Sequence, residues 1–148
     1  MSAENKAIVQ RLYEEVWNKR KLELVSEIIS PSHALHGPNI FGSSIGPEAY
    51  KRQLLVFLAG YSDLHFTIED MIAEKDKVVA CWTISGTQRG EYLGIPATNK
   101  KVSVDGITIH HNANGKIMDS YSNWDALGMM QQLGVVPALG QSKSLSAR

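Results

Sequence analysis

The sequence predicts an α+β fold in which helices come first and strands follow. Residues 2–29 and 46–61 repeat apolar side chains at the three-to-four-residue spacing of a helix, whereas residues 64–124 largely alternate apolar and polar side chains, as a strand does. The strand-like runs are joined by short turn sequences such as "NANG", which are typical of hairpins. Helices that are separated along the chain from hairpin-linked strands indicate the α+β class.

Three helices are predicted in the first half of the chain. The first covers residues 2–21 and presents one apolar stripe, and a second covers residues 22–29 and ends at Ser30-Pro31. The residues that follow are interpreted as a loop that could open with a short strand. The third helix begins at Gly46-Pro47, because proline is favoured in a first turn, and stops near Gly60.

Four antiparallel strands and a short closing helix are predicted in the second half. The strands are expected at residues 64–70, 78–88, 101–111 and 116–124, with a long turn-rich connection over residues 89–100. The closing helix covers residues 125–134, and Asp125 is a residue type preferred as its N-cap.

The third of these strands has an irregular pattern. Its apolar residues occupy even positions before Asp105-Gly106 and odd positions after it. A β-bulge at Asp105-Gly106 would restore a single apolar face, and glycine is common in bulges. We therefore expect Thr108 and His110 on the polar face, His111 on the apolar face, and Asp105 at the surface.

Composition narrows the class of protein. A chain of 148 residues, 43% hydrophobic and 20% charged, suits one globular domain, which we place at residues 1–136 with a flexible tail at 137–148. Fifteen basic and fifteen acidic residues cancel, so no basic excess favours nucleic acid. The single cysteine, Cys81, fits a reducing compartment, and the sequence has neither a signal-peptide core nor a membrane-length apolar run. A cytoplasmic protein without nucleic-acid or membrane partners is expected.

Several motifs together resemble one family. They are "VQRLYEEVWNKRKLELVSEIISP", His36, "GPEAYK", "IAEKDKVVACW", "GTQRGEYLGIPATNKKVSVDGITI", "NGKI" and "DALGMMQQLG". This pattern, over roughly residues 5–134, is similar to the SnoaL-like polyketide cyclases and their ester cyclase relatives, within the NTF2-like, ketosteroid-isomerase-like superfamily. The resemblance implies a cone-shaped α+β fold, in which a curved antiparallel sheet wraps the N-terminal helices around an apolar pocket. It also implies a small hydrophobic ligand, no cofactor, and a homodimer packed through the sheet.

The resemblance also bears on the catalytic acid. True cyclases carry a carboxylate near the end of the last strand, and this sequence has Ser122 there, or Asn123 in a looser alignment. Neither residue exchanges a proton as a carboxylic acid does. The aspartate that does match, Asp125, corresponds to the family's aspartate at the start of the last helix. It is interpreted first as an N-cap, with a role at the cavity mouth as the alternative.

His36, His110 and Asp125 are the candidate catalytic residues. His36 matches a histidine that relatives hold at the cavity wall, where it could act as a general base or acid; the alternative is a loop histidine held by local hydrogen bonds. His110 could pair with an acid or a ligand carbonyl if its face lines the cavity, and is otherwise a surface residue. His33 is interpreted as solvated or structural.

Aromatic side chains dominate the candidate substrate-binding residues. They are expected to line the pocket and to suit a flat, ring-shaped ligand, and with one glutamine the set is Tyr13, Trp17, Tyr50, Trp82, Gln88, Tyr121 and Trp124. Tyr13 and Tyr121 could donate a hydrogen bond to a ligand carbonyl. Gln88 lies where many relatives carry a histidine, and it can hydrogen-bond a ligand but cannot shuttle protons.

No metal site is predicted. The pair His33 and His36 has no acidic or cysteine companion at ligand spacing, and the adjacent His110 and His111 point to opposite faces of a strand. Two functions remain open. One is a cofactor-free acid/base enzyme that performs isomerisation, aldol-type cyclisation or dehydration on an apolar cyclic carbonyl compound. The other is a non-catalytic binding domain for a hydrophobic small molecule. The catalytic alternative depends on a hollow interior into which His36 projects.

Overall fold

The computed structural model describes residues 2–37 and 45–140. Its elements, in chain order, are α1 (Ser2–Arg11), which continues as a π-helix (Leu12–Asn18), a 3₁₀ turn (Leu22–Leu24), α2 (Val25–Ile28), β1 (Ile29–His36), α3 (Gly46–Gly60), β2 (His65–Glu74), β3 (Lys77–Thr87), β4 (Lys101–Ala113), β5 (Lys116–Trp124) and α4 (Ala126–Leu133). The α+β class is confirmed, as are the positions of the predicted helices and of the last four strands.

Within the described residues, five strands form one mixed sheet in the order β1-β5-β4-β3-β2. Strands β2 to β5 pair antiparallel, as predicted, but β1 pairs parallel with β5. Residues 32–36 of β1 lie in the predicted loop, at whose start a short strand was the alternative. The structure has the strand, because residues 29 and 34–36 pair with Ile117 and residues 119–121 of β5, far along the chain. A register shift at residues 29–34 hides its alternation in the sequence.

The first helix changes its winding where it meets the sheet. After Arg11 the backbone forms a π-helix over Leu12–Asn18, and the amide of Lys19 donates to the carbonyl of Glu14 at 3.2 Å. The buried side chains Tyr13 and Trp17 both come from this wider segment. Such π-helical turns are frequent at functional sites.

Two polar side chains anchor the helical layer to the start of β2. The carboxamide of Asn18 donates to the carbonyl of Phe66 at 2.9 Å and accepts from its amide at 2.8 Å. The guanidinium of Arg20 donates to the carbonyls of Ser62 and Leu64 at 2.9 and 2.8 Å. These hydrogen bonds fix the position of the π-helical segment relative to the sheet.

Strand β4 has no bulge at Asp105-Gly106. Its pairing with β3 runs without interruption from Lys77 opposite His111 to Thr87 opposite Lys101. Gly106 is needed for a different reason: a Cβ there would overlap the Trp82 ring and lie 2.8 Å from the Cβ of Trp124. The predicted bulge was therefore wrong, and the glycine serves close packing.

The apolar residues of β4 change from even to odd positions because both faces of the sheet carry apolar residues. Even-numbered residues of β4 are buried against the helices, whereas Ile107 and Ile109 on the outer face are 52% and 41% exposed. The register places Ile109 in a row that crosses the outer face of all five described strands, formed by Ile72, Val79, Ile109, Tyr121 and His36. Thr108 and His110 accordingly lie on the same inner face as Val102 and Val104, and not opposite to them as predicted.

Helix α4 is fixed at both ends and along its side. The Asp125 carboxylate accepts a hydrogen bond from the amide of Gly128 at 2.8 Å, which confirms the N-cap, and Gly134 closes the helix in the left-handed conformation (φ 83°). The carboxamide of Gln132 bonds the amide and carbonyl of Ser103 at 2.8 and 2.9 Å. Asp105 is exposed and accepts a hydrogen bond from Thr83, which confirms its surface position.

Parts of the predicted loop and tail, residues 38–44 and 141–148, lie outside the described residues. In the described part of the chain, each helix is too short or too polar to cross a membrane.

Replacing Gly106 with Ala is expected to lower the free energy of unfolding by about 1–3 kcal/mol, because the added methyl group overpacks the contact with Trp82. Trp82 must move to make room, so the near-ultraviolet circular dichroism of the tryptophans should change as well. Urea unfolding and this spectrum measure the two effects.

Gly94→Ala is the matched control. Gly94 has a positive φ of 81°, but a Cβ added there would meet no neighbouring atom within 4 Å, so the substitution costs backbone strain without displacing a tryptophan. An unchanged tryptophan spectrum in Gly106→Ala would contradict the close-packing explanation.

Candidate functional site

A chamber of about 500 Å³ lies between the helical layer and the inner face of the sheet. Its lining comes from the π-helix, the end of β1, α3 and the inner faces of β2 to β5. The residues are Tyr13, Trp17, Leu35, His36, Gly37, Tyr50, Gln53, Phe57, Leu64, Phe66, Trp82, Ile84, Thr108, His110, Ser120, Ser122 and Trp124. Most of the predicted aromatic residues are among them, because they lie on the side of their helix or strand that faces the chamber.

One wall of the chamber is aromatic. The Trp17 ring packs edge-on against Phe66, with centroids 4.9 Å apart, and Phe66 packs in the same way against Trp82 at 5.1 Å. The Trp17 indole N–H donates to the Tyr50 hydroxyl at 2.8 Å. Trp124 closes this wall through an edge contact with Phe57 at 5.9 Å. Rigid rings in these positions form a surface that suits a planar apolar ligand.

Next to the aromatic wall lies a polar patch on β4 and β5. Thr108 of β4 accepts a hydrogen bond from the Trp82 indole N–H at 2.9 Å, and its Oγ1 lies 2.9 Å from Ser122 Oγ. One hydroxyl of this pair donates to the other, so the second hydroxyl keeps a hydrogen for another acceptor. Ser122 therefore occupies the chamber wall, whereas Asn123 is exposed on the outer face.

A buried hydrogen-bonded chain crosses the base of the patch. Tyr13 Oη lies 2.9 Å from His110 Nε2, His110 Nδ1 lies 2.8 Å from Ser120 Oγ, and Ser120 Oγ lies 3.1 Å from His33 Nε2. All four side chains are almost fully buried, with His33 1% and His110 3% exposed. This chain joins a helix residue, two central strands and β1 through consecutive proton-carrying groups.

Burial keeps these groups uncharged near neutral pH. Desolvation, reinforced by the neighbouring His33, lowers the pKa of His110 to about 3. Desolvation lowers the pKa of His33 to about 4, although the nearby Asp119 acts in the opposite direction. Burial also raises the pKa of Tyr13 far above its ordinary value, so its hydroxyl stays protonated. The chamber therefore offers neutral hydrogen-bond donors and acceptors.

His36 and Tyr121 are paired on the neighbouring strands β1 and β5. Both are exposed, and their rings stack on the outer face with centroids 4.3 Å apart. His36 also lines the chamber, as predicted, whereas Tyr121 does not. The expectation for Tyr121 was wrong because Ser120 and Ser122 take the inward positions of β5.

Asp125 and Gln88 also differ from their predicted roles in the site. Asp125 is exposed, caps α4 and does not line the chamber. Gln88 is fully buried outside the chamber, where its amide donates to the carbonyls of Gly90, Ile95 and Pro96 and its oxygen accepts from Thr98. Both side chains use their hydrogen-bonding capacity to hold local structure.

His33 and Ser120 belong to the site but were not predicted from the sequence. His33 was interpreted as solvated or structural, and the solvated alternative is excluded by its burial. Ser120 shares the inward parity of Ser122 and Trp124 in "DSYSNW", which was an available signal once β5 was recognised. Cys81 is only partly buried and lies on the outer face.

In residues 2–37 and 45–140, no group of three or more histidine, cysteine, aspartate or glutamate side chains is arranged to hold a metal ion.

Comparisons with known proteins place this geometry in context. The family model for SnoaL-like polyketide cyclases matches residues 7–133. TsrD from Streptomyces laurentii is 31% identical, with 88% of this chain and 97% of that chain covered and a TM-score of 0.76. A candidate polyketide cyclase from Bacillus cereus is 29% identical, covering 90% of this chain and 82% of that one, with a TM-score of 0.76.

The fold agrees even where the sequences have diverged. A candidate SnoaL-like polyketide cyclase from Jannaschia sp. CCS1 has a TM-score of 0.83 at 24% identity, with 92% of this chain and 95% of that chain covered. This likeness supports the fold alone, which is NTF2-like. No curated protein is a significant sequence match.

When the pH is lowered from 7 to 5, the free energy of unfolding is expected to fall more in the unsubstituted protein than in His110→Gln. The unfolded chain has histidine pKa values near the ordinary 6.5, whereas those of folded His110 and His33 are about 3 and about 4. Between about pH 6.5 and pH 4 the unfolded chain therefore binds more protons, so the free energy of unfolding falls as the pH falls. Each buried histidine contributes up to about 1.4 kcal/mol per pH unit.

Urea unfolding at several pH values measures this slope. His111→Gln, a substitution of a half-buried histidine on the outer face, should keep the steep loss. Equal slopes in the unsubstituted protein and His110→Gln would show that His110 is not held neutral by burial.

Proposed function

The chain belongs to the SnoaL-like polyketide cyclase family, and we propose that it is a cofactor-free acid/base enzyme that enolises an apolar cyclic carbonyl compound. Enolisation is the step that isomerisation, aldol-type cyclisation and dehydration next to a carbonyl share. The observation that carries the proposal is the 2.9 Å contact between Tyr13 Oη and His110 Nε2 at the chamber wall. Two groups that can transfer protons meet there at a point a ligand can reach.

The polar patch supplies the second requirement of enolisation. As a carbon–hydrogen bond breaks, its electron pair moves into the carbonyl group and negative charge builds on the oxygen. The spare hydroxyl hydrogen of the Thr108–Ser122 pair is placed to donate to that oxygen. The proton from carbon goes to Tyr13 Oη as the tyrosine's own proton passes to His110 Nε2.

The pKa of His110 restricts the substrate. A histidine with a pKa of about 3 is a weak base, so the carbon acid must already be activated. A carbon between two carbonyl groups meets this condition. The aromatic wall and the uncharged chamber favour a neutral, flat, ring-containing compound over a charged one. The proposed substrate class is thus an apolar cyclic 1,3-dicarbonyl compound, and His36 and Asp125 have no part in its chemistry.

A non-catalytic binding domain is the second candidate. It is favoured by the chamber lining, which contains no aspartate or glutamate among the described residues. Ser122 stands where the family resemblance places the catalytic carboxylate. Under this alternative the polar patch would orient a ligand carbonyl without moving a proton.

The exchange of a carbon-bound proton separates the two candidates. The probe is 2-acetyl-1-tetralone in deuterated buffer. The protein is expected to accelerate the incorporation of deuterium at the carbon between the two carbonyl groups, and proton NMR measures the rate. Tyr13→Phe and His110→Gln should reduce the acceleration by roughly 100-fold, the lower end of typical general acid–base contributions.

Two matched variants control for the residue type. Tyr61→Phe removes a buried hydroxyl that lies outside the chamber and has no hydrogen-bond partner in the described part of the chain. His111→Gln removes a half-buried histidine of the outer face. Both should exchange at the unsubstituted rate. Binding of the probe without accelerated exchange would favour the binding domain over the enzyme.

We further propose that the protein forms a homodimer through the outer face of the sheet. The row of Ile72, Val79, Ile109, Tyr121 and His36 supports this, because three of its members are apolar or aromatic and well exposed, with Tyr121 at 55% and Ile72 at 59%. A formal net charge of zero leaves little repulsion between copies. Contiguous exposed apolar area of this kind marks interaction sites.

Ile109→Glu is expected to convert a dimer to a monomer, because two copies would bury the added carboxylates without partners. Sedimentation velocity at micromolar concentration measures the change. Leu55→Glu, an equivalent substitution of an exposed residue of α3, should leave the dimer intact. A dimer that survives Ile109→Glu would place the interface elsewhere.

A further inference from the structure

We infer that Tyr13, His110, Ser120 and His33 form one proton relay in which His33 is the terminal acceptor and sets the tautomer of His110. The relay itself follows from the geometry of the four side chains. Its catalytic consequence rests on the function proposed above. His33 is a positioning residue in this scheme, since it lies behind His110 and acts through it.

The Ser120 hydroxyl has a single hydrogen and two histidine neighbours. Ser120 Oγ lies 2.8 Å from His110 Nδ1 and 3.1 Å from His33 Nε2. A hydroxyl donates only once, and Ser120 Oγ has no third hydrogen-bond partner among the described residues to take its hydrogen. The hydrogen therefore goes to one ring nitrogen, and the other ring nitrogen donates to the oxygen. The protonation states of the two histidines are therefore coupled through one oxygen.

Only two neutral arrangements satisfy both contacts and also give the Ser120 hydrogen an acceptor among the described residues. If Ser120 donates to His33 Nε2, then His110 carries its proton on Nδ1, His33 carries its proton on Nδ1, and Tyr13 donates to His110 Nε2. If Ser120 donates to His110 Nδ1, then both histidines carry the proton on Nε2, and His110 donates to Tyr13 Oη. In each arrangement the two histidines share the same tautomer.

The two arrangements give the chamber opposite properties. When His110 donates to Tyr13, the tyrosine hydrogen is free to donate to a ligand oxygen. When Tyr13 donates to His110, the tyrosine oxygen can accept a proton. When Tyr13 donates to His110, a proton taken from a ligand carbon onto Tyr13 is balanced along the chain. Tyr13 passes its proton to His110 Nε2, His110 passes the Nδ1 proton to Ser120, and Ser120 passes its own to His33 Nε2.

The result of that sequence is an enolate, a neutral His110 and a doubly protonated His33. The positive charge is better placed on His33 than on His110 for an electrostatic reason. Titratable groups around His33 are His110 on β4, Asp119 on β5, His36 on β1 and the Tyr50 ring on α3, centred 5.8 Å away, and of these Asp119 favours the cation. For His110, the neighbouring charge effect comes from His33 and opposes protonation.

Nitrogen NMR of protein labelled with ¹⁵N-histidine tests the relay without any ligand. Protonated and unprotonated ring nitrogens give separate signals, so the tautomer of each histidine can be assigned. His33 and His110 are expected to share one tautomer at pH 7. In Ser120→Ala the shared tautomer should be lost, and in Ser120→Thr, which restores the hydroxyl, it should return. Opposite tautomers in the unsubstituted protein, or no change in Ser120→Ala, would overturn the relay.

A second measurement separates the relay from the proposed enzyme. His33→Gln can hydrogen-bond Ser120 but cannot hold the extra proton, so exchange of the 2-acetyl-1-tetralone proton should fall at least tenfold while the affinity for the probe stays the same. Exchange at the full rate in folded His33→Gln would show that His33 is not the terminal acceptor. If the unsubstituted protein shares the tautomer but exchanges no probe, the relay stands and the proposed function fails.

Discussion

The hydrogen bond between Tyr13 and His110 connects the two layers of this molecule at the point where they enclose empty space. Tyr13 comes from the π-helical segment and His110 from the central strand β4, and their contact joins two buried polar side chains that would otherwise lose a hydrogen-bond partner each. The anchors at Asn18 and Arg20 hold the helical layer at the height this contact requires. Fold and site thus depend on one geometry.

Burial then decides which chemistry the chamber can perform. The polar side chains of β4 and β5 that line the chamber hydrogen-bond one another, and burial keeps the histidine among them neutral. Such a site is poor at holding a charged ligand. Because the described lining contains no carboxylate, the proposed function assigns the transferred charge to the histidine–serine–histidine chain.

The same strand that builds the chamber also builds the outer surface. Because successive residues of β4 point to opposite faces, Thr108 and His110 face the chamber while Ile107 and Ile109 face outward. Gly106, between Trp82 and Trp124, allows the aromatic wall to pack closely against the backbone at this point. A substitution on one face of β4 is therefore directly adjacent, along the strand, to a residue on the other face.

The sequence by itself determined the α+β class, the helical stripe that contains Tyr13 and Trp17, the four hairpin-linked strands and the cap at Asp125, because periodicity and capping are local properties. It also pointed to most of the aromatic wall. Only the tertiary structure decided that β1 is a strand, that His36 stacks on Tyr121, and that His33 turns inward to meet Ser120, since these depend on pairing between residues 29–36 and 117–121. The parity of a strand is visible in a sequence, but the face it presents is chosen by the partner it pairs with.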